Sequence, residues 1–183
     1  MTELLQDVLD LLEECNIAYM VVGSISSSIY RQARATQDLD VVVQIEAPQL
    51  EQLLQRLPND RYYFSSEAAA EAVRRRTSFN LVDLRGGGKI NLLPLKRRAF
   101  SQTEFERRRP VQALGRLIQV AAPEDVILSK LEWNALTPSE RQLRDVAGIV
   151  AAPGDRLDKA YLERWAETLG VSEELHRLLS AGG

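Results

Sequence analysis

Two aspartates, Asp38 and Asp40, stand two residues apart at the head of an apolar run that reads DLDVVV. Side chains alternate faces along a strand, so both carboxylates are expected on one face, with Leu39, Val41, Val43 and Ile45 on the other. Two such anions about 6–7 Å apart repel by about 2–3 kcal/mol at an effective dielectric near 20. A fold that keeps them side by side usually supplies a cation. Mg²⁺ suits this arrangement, because it takes hard oxygen ligands from one or two carboxylates and completes its shell with substrate phosphates. Upstream lies Val22-Gly23-Ser24, followed by Ser26, Ser27 and Ser28. Gly23 allows a sharp turn, and the serines crowd a helix start whose unpaired N–H groups and dipole favour an anion. Together these residues describe a place for a divalent ion carrying a phosphate tail.

The elements that must position them follow from periodicity. Residues 2–14 read as a helix, with Leu4, Leu5, Val8, Leu11 and Leu12 at helical spacing. Ile17 to Val22 is a short buried strand ending at Gly23, and the aspartate strand follows a short helix. Pro48 to Leu57 is a helix with Leu50, Leu53, Leu54 and Leu57 on one stripe, and residues 66–76 form a weaker one. Thr77–Leu84 and Lys89–Leu95 read as a hairpin around Gly86-Gly87-Gly88. Lys96 to Pro110 is basic and receives no assignment. Gly115 to Ala121 fits a strand, after which the pattern is all helix: from Pro123 to about Trp133, from a capping box at Thr137-Pro138-Ser139-Glu140, from Asp158 to Gly170, and from Ser172. The expected fold class is therefore α+β, with a mixed α/β domain over 1–121 and a helical domain over 122–183.

Composition sets the outer bounds. The chain has 183 residues, 45% hydrophobic and 27% charged, as expected of a soluble globular protein. No apolar run approaches a membrane span, and the first residues lack a secretory pattern. A single cysteine, Cys15, excludes an internal disulfide and a cysteine-based zinc site, and a reducing, cytoplasmic home is expected. The net charge of −3 gives no global reason to expect nucleic-acid binding. Three clusters, Arg74-Arg75-Arg76, Lys96-Arg97-Arg98 and Arg107-Arg108-Arg109, could form an RNA-binding face or be ordinary solvated stretches. Trp133, Tyr161 and Trp165 are expected in a helix-bundle core, His176 on the surface, and Cys15 as a buried small hydrophobe.

With Val22-Gly23-Ser24, a spacer of thirteen residues, and Asp38-Leu39-Asp40, the chain resembles the minimal nucleotidyltransferases of the polymerase-beta-like superfamily. Three later segments are similar to motifs of the abortive-infection toxin branch of that family: Lys89-Ile90-Asn91-Leu92, Leu128-Ser129-Lys130-Leu131, and Arg141-Gln142-Leu143-Arg144-Asp145. The resemblance implies a small mixed sheet with flanking helices, followed by a helical domain that closes over a nucleotide. It implies transfer of a nucleoside monophosphate from an Mg²⁺–NTP complex to a hydroxyl, with RNA as the suspected acceptor. Asp38 and Asp40 would hold the metal, Gly23 and Ser24 the phosphates, and Lys130 and Arg144 would neutralise the triphosphate.

The chain departs from the resemblance at one position. Where that branch has its third catalytic carboxylate, this sequence has Asn91. An amide oxygen can coordinate weakly but cannot accept the nucleophile's proton. Asp83 on the partner strand could substitute if the hairpin loop is Gly86–Gly88 alone; a four-residue loop starting at Arg85 would turn it to the other face. Three readings therefore stand: an active transferase; an impaired module of the same fold that binds a nucleotide, RNA or a partner protein, as in a toxin–antitoxin system; and, less favoured, a structural domain whose aspartates face solvent.

Overall fold

A computed structural model describes residues 2–30, 38–113, 115–152 and 157–181. In chain order the elements are α1 (Thr2–Glu14), β1 (Ala18–Val22), α2 (Gly23–Tyr30), β2 (Asp38–Gln44), α3 (Ala47–Arg56), β3 (Tyr62–Tyr63), α4 (Ser66–Arg75), β4 (Phe79–Asp83) and β5 (Lys89–Pro94). They continue with α5 (Ala99–Glu106), β6 (Arg109–Ala113), β7 (Arg116–Val120), α6 (Pro123–Leu136), α7 (Glu140–Val150), α8 (Lys159–Leu169) and α9 (Ser172–Ala181). The strands form one mixed sheet in the order β3-β4-β5-β2-β1-β7-β6. β2 lies antiparallel to β1 and parallel to β5, so the aspartate strand occupies the middle of the sheet. The expected α+β class is what the chain adopts.

Alternation along β2 divides the interior into two layers. Leu39, Val41 and Val43 pack with α1, α3 and α4 through Leu5, Leu9, Leu53 and Val73, on one face of the sheet. Val42 and Met20 point the other way and join Phe100 and Phe105 of α5 with Ile127, Leu131, Val146, Leu162 and Leu175 of the later helices. The face that carries Asp40 is therefore the face the C-terminal helices cover. α6 is buried on nearly every side over its first nine residues, from Pro123 to Leu131. The buried residues include the charged Glu124, Asp125 and Lys130 as well as the apolar ones.

Several local expectations change on folding. Lys96 to Pro110, left unassigned, contains α5 and the start of β6, which pairs antiparallel with β7. Its basic residues hid the signal, because Arg107 and Arg108 turn inward onto Tyr161 and Phe105, stacking over their rings at 3.8 and 4.2 Å. The capping box does not form at Thr137. α7 starts at Glu140 with Ser139 as its N-cap, and the Ser139 amide donates to Asn134 Oδ1 at 2.8 Å. Trp133 is not in the core: it is 58% exposed and Leu136 is 75% exposed, since α6 runs a turn beyond the helices that cover it. Tyr161 is buried and Trp165 packs its ring on Phe100 at 5.2 Å, as expected. Cys15 is buried and His176 exposed. No helix among the described residues is long and apolar enough to cross a membrane.

Candidate functional site

One row of residues crosses four strands. Val22 pairs with Asp40 across β1 and β2, Asp40 with Asn91 across β2 and β5, and Asn91 with Asn80 across β5 and β4. Their side chains share the face opposite Leu39 and Val41. Asp40 and Asn91 are half-buried and Asn80 is exposed, so the row is a floor that solvent reaches. Asn91 Nδ2 donates to Asp40 Oδ1 at 2.7 Å. Among the described residues no cation pairs with this carboxylate.

The second wall is Gly23. Its φ is +67°, in the left-handed region, and a Cβ placed there would run into Asp40 Oδ2. Any other residue would incur both backbone strain and a collision with the carboxylate. The Asp40 carboxylate is thus held between an amide on one oxygen and bare backbone beside the other. Asp38 heads β2 in register with Lys89, one strand repeat from Asp40. Its side chain lies outside the described residues.

The serines divide their work. Ser26 Oγ donates to the Val21 carbonyl at 2.7 Å, Ser27 Oγ to Gly23 and Ser28 Oγ to Ser24, both at 2.8 Å. The last two are back-bonds within α2, while that of Ser26 ties α2 to β1. Ser24 Oγ is different: it accepts from Arg141 Nη2 of α7 at 3.2 Å, across 117 positions of sequence.

The residues expected at a triphosphate are placed unequally. Lys130 is buried, and its Nζ donates to Gln142 Oε1 at 2.8 Å and Asp145 Oδ2 at 2.9 Å. Arg144 is exposed and its Nε donates to the Glu140 carbonyl at 3.4 Å. Arg141, which the spacing did not single out, is the arginine of this segment that reaches Ser24. A helical signal for it existed. Arg141 precedes Asp145 by four residues and so lies on the same helix face as the partner of Lys130, whereas Arg144 is rotated by about 100°.

Asp83 does not stand in for Asn91. The Asp83 amide donates to Gly88 and the Gly87 amide to Asp83, so the loop is Leu84–Gly87. That register puts Asp83 on the buried face with Leu81, where its Oδ1 accepts from the Arg85 amide at 3.0 Å and lies 3.9 Å from Arg61 Nε. The basic clusters are also largely engaged within the chain. Arg74 and Arg75 pair with Glu71, Arg76 with Glu46, Arg98 with Glu132, and Arg107 with Glu124 and Asp125.

Behind the site, the helical layer buries further carboxyls. Burial raises the Glu104 carboxyl to about 7, against the hydrogen bond it accepts from Ser129 Oγ. Burial likewise raises Asp125, although Tyr161 Oη and Arg107 both donate to it. None of these faces solvent as Asp40 does.

No protein-family model and no curated protein matches the sequence. Solved structures do match. A nucleotidyltransferase-like protein of Paracoccidioides brasiliensis is similar over 98% of this chain and 90% of its own, with 19% identity and a TM-score of 0.57. The fold is a nucleotidyltransferase fold. The lincosamide antibiotic adenylyltransferase LnuA, solved with lincomycin, is similar over 79% of this chain and 93% of its own, at 14% identity and a TM-score of 0.56. ANT(2'')-Ia, solved in complex with adenylyl-2''-tobramycin, is similar over 99% of this chain and 95% of its own, at 14% identity and a TM-score of 0.51. On this nucleotidyltransferase fold, the Asp40–Asn91–Gly23 cluster is the polar floor between the sheet and its helical cover.

Proposed function

We propose that this protein binds an Mg²⁺–NTP complex at the Gly23–Asp40 site and transfers the nucleoside monophosphate to a hydroxyl of an acceptor. The observation that carries this reading is the close approach of Gly23 to Asp40. A left-handed glycine brings a helix start against a carboxylate that no described cation neutralises. The donor set fits the ion: hard oxygens of Asp40, with Asp38 one strand repeat away, and phosphate oxygens to complete the shell. When bound, Mg²⁺ would neutralise phosphate charge and polarise the phosphorus toward attack. The chain's own part is positional. Asp38 and Asp40 would fix the ion. Gly23 would let the backbone approach the phosphates, and Ser24 with its N–H would hold them. Lys130, Asp145 and Gln142 would fix the α7 side of the cleft, with Arg144 at its exposed rim.

A second reading, nucleotide binding without transfer, is favoured by one specific contact. Asn91 gives its amide to Asp40 at 2.7 Å, so the position that the resemblance assigns to a proton-accepting carboxylate is a donor instead. Incubation with each α-labelled NTP, Mg²⁺, and either total RNA or a panel of polyhydroxylated small molecules separates the two. Label appearing on an acceptor, and lost in Asp40→Asn, supports transfer and names the acceptor class. Asn91→Asp should raise transfer by about 10²–10⁴-fold if the position lacks only its base. Nucleotide binding with no label transferred to any acceptor favours the second reading.

A further inference from the structure

We propose that the cavity where β1 and β7 begin is a second ligand site, and that it takes a zwitterion: a free α-amino acid with an apolar side chain. No residue of the Gly23–Asp40 site takes part, so this inference stands or falls separately from the function proposed above.

The cavity measures about 510 Å³, a size that holds a small molecule, and Ala18, Leu117 and Gln119 form its floor. Ile118 and Val120 point into the layer that holds α1, so Leu117 and Gln119 project from the other face of β7. Ala18 lies on that same sheet face, about 13 Å along β1 from Val22. Between the two, Met20 is fully buried in the helical layer. Packed side chains rather than open space therefore separate the cavity from the Asp40 row.

Charge without a partner marks this cavity. Glu106 and Arg108 line it together, yet among the described residues no ion pair joins them and Glu106 meets no cation. Arg108 is anchored all the same: its guanidinium lies 4.2 Å from the centre of the Phe105 ring, and Nη1 donates to the Phe105 carbonyl at 2.6 Å. Its remaining donors have no partner among the described residues. The other carboxylate at the rim is already used, since Glu13 accepts from Tyr19 Oη at 2.9 Å and from Arg116 Nη2 at 2.8 Å. One anchored cation and one free anion thus flank the same space. Leu117, 57% exposed, supplies the apolar part. An exposed leucine needs no explanation alone, but this one floors a cavity set between opposite charges. An α-amino acid carries the matching groups on one carbon. Its carboxylate takes the free fork of Arg108, its ammonium takes Glu106, and its side chain lies on Leu117 and Ala18. A simple cation or a simple anion satisfies one of the two charges and is repelled by the other.

Titration of the full chain with L-leucine, L-methionine and L-phenylalanine, followed by backbone amide chemical shifts and by calorimetry, tests this. Isopentylamine and 4-methylpentanoate serve as probes that keep the leucine skeleton and carry one charge each. The best of the three amino acids is expected to bind about tenfold more tightly than either probe and to shift the amides of Ala18, Glu106 and Leu117. Glu106→Gln should weaken it by about tenfold, the loss of one charge-assisted hydrogen bond, and Arg108→Gln by a similar factor. Arg108→Gln also removes packing on Phe105, so its melting curve is compared with wild type; Glu106 is exposed, and its variant folds without that concern. Equal binding of the amino acid and the one-charge probes overturns the zwitterion, as does undiminished binding in Glu106→Gln. Shifts confined to other parts of the chain, or none with any of the three amino acids, overturn the site. Mg²⁺–ATP titrated into Glu106→Gln should behave as with wild type, and a loss there would overturn the separation of the two sites.

Discussion

Two sets of carboxylates in this protein face opposite requirements. In the helical layer, Asp145, Asp125 and Glu124 are buried and each is met by a cation: Lys130, then Arg107 for the last two. On the sheet, Asp40 is reached by solvent and is met by a neutral amide and a bare glycine. A buried charge must be paired where it sits, because leaving it bare costs several kcal/mol. A half-exposed charge held by neutral groups stays able to bind a cation from solution. The first group holds helices together; the second is kept available.

The strongest way to break this contrast is Lys130→Met, which leaves Asp145 buried without its lysine. Chemical denaturation should show a loss of about 3–5 kcal/mol, most of it returned when Asp145→Leu is added. A small loss from the single variant would place Asp145 in the solvent-relaxed group instead. Next in size is the pH response of Glu104, whose carboxyl burial raises from 4.5 to about 7. Ser129 and Arg98 oppose that shift, while Asp125 and Glu132 add to it. The folded chain then keeps a proton on Glu104 that the unfolded chain releases, so this group's contribution to stability is fully present below about pH 4.5 and is lost as pH rises through about 7. The full effect is about 3 kcal/mol, and Glu104→Gln should flatten the slope across that window.

Gly23→Ala sharpens the comparison from the sheet side. Left-handed strain and the collision with Asp40 should cost about 1–3 kcal/mol in stability and abolish nucleotide binding. A variant as stable as wild type would mean that the turn relaxes away from the carboxylate. Asp40→Asn should move stability by less than about 1 kcal/mol, since no described cation loses its partner. Its signature lies elsewhere: the Mg²⁺–NTP-dependent rise in melting temperature should disappear. Smallest is Arg56→Ala, which removes an exposed pair with Glu14 and should leave the melting curve unchanged.

Much of this was legible in the residues. The apolar alternation of Leu39, Val41 and Val43 located the central strand and the face for Asp40, and Gly23 marked the turn. Asp158 and Gly170 bounded α8, with the Asp158 carboxylate accepting from the Tyr161 amide at 2.9 Å and Gly170 at a φ of +71°. What failed to show were features whose partners lie far away in sequence. β6 is a strand only because β7 pairs with it, and its basic, proline-containing run carries no strand pattern of its own. Arg144 and Arg141 look alike in a linear motif; in the folded chain Arg141 lies on the helix face of Asp145 and reaches Ser24, whereas Arg144 donates to the Glu140 carbonyl.

Sequence alone determined which residue types could meet a metal and a phosphate, because side-chain chemistry, strand alternation and the glycine's conformational freedom are local properties. Tertiary structure decided which of them meet. The hairpin register sent Asp83 inward, the parallel pairing of β2 with β5 set Asn91 against Asp40, and the packing of α7 on α6 chose Arg141 for Ser24. Register and helix rotation depend on contacts summed over many distant residues, so no single stretch of the chain encodes them.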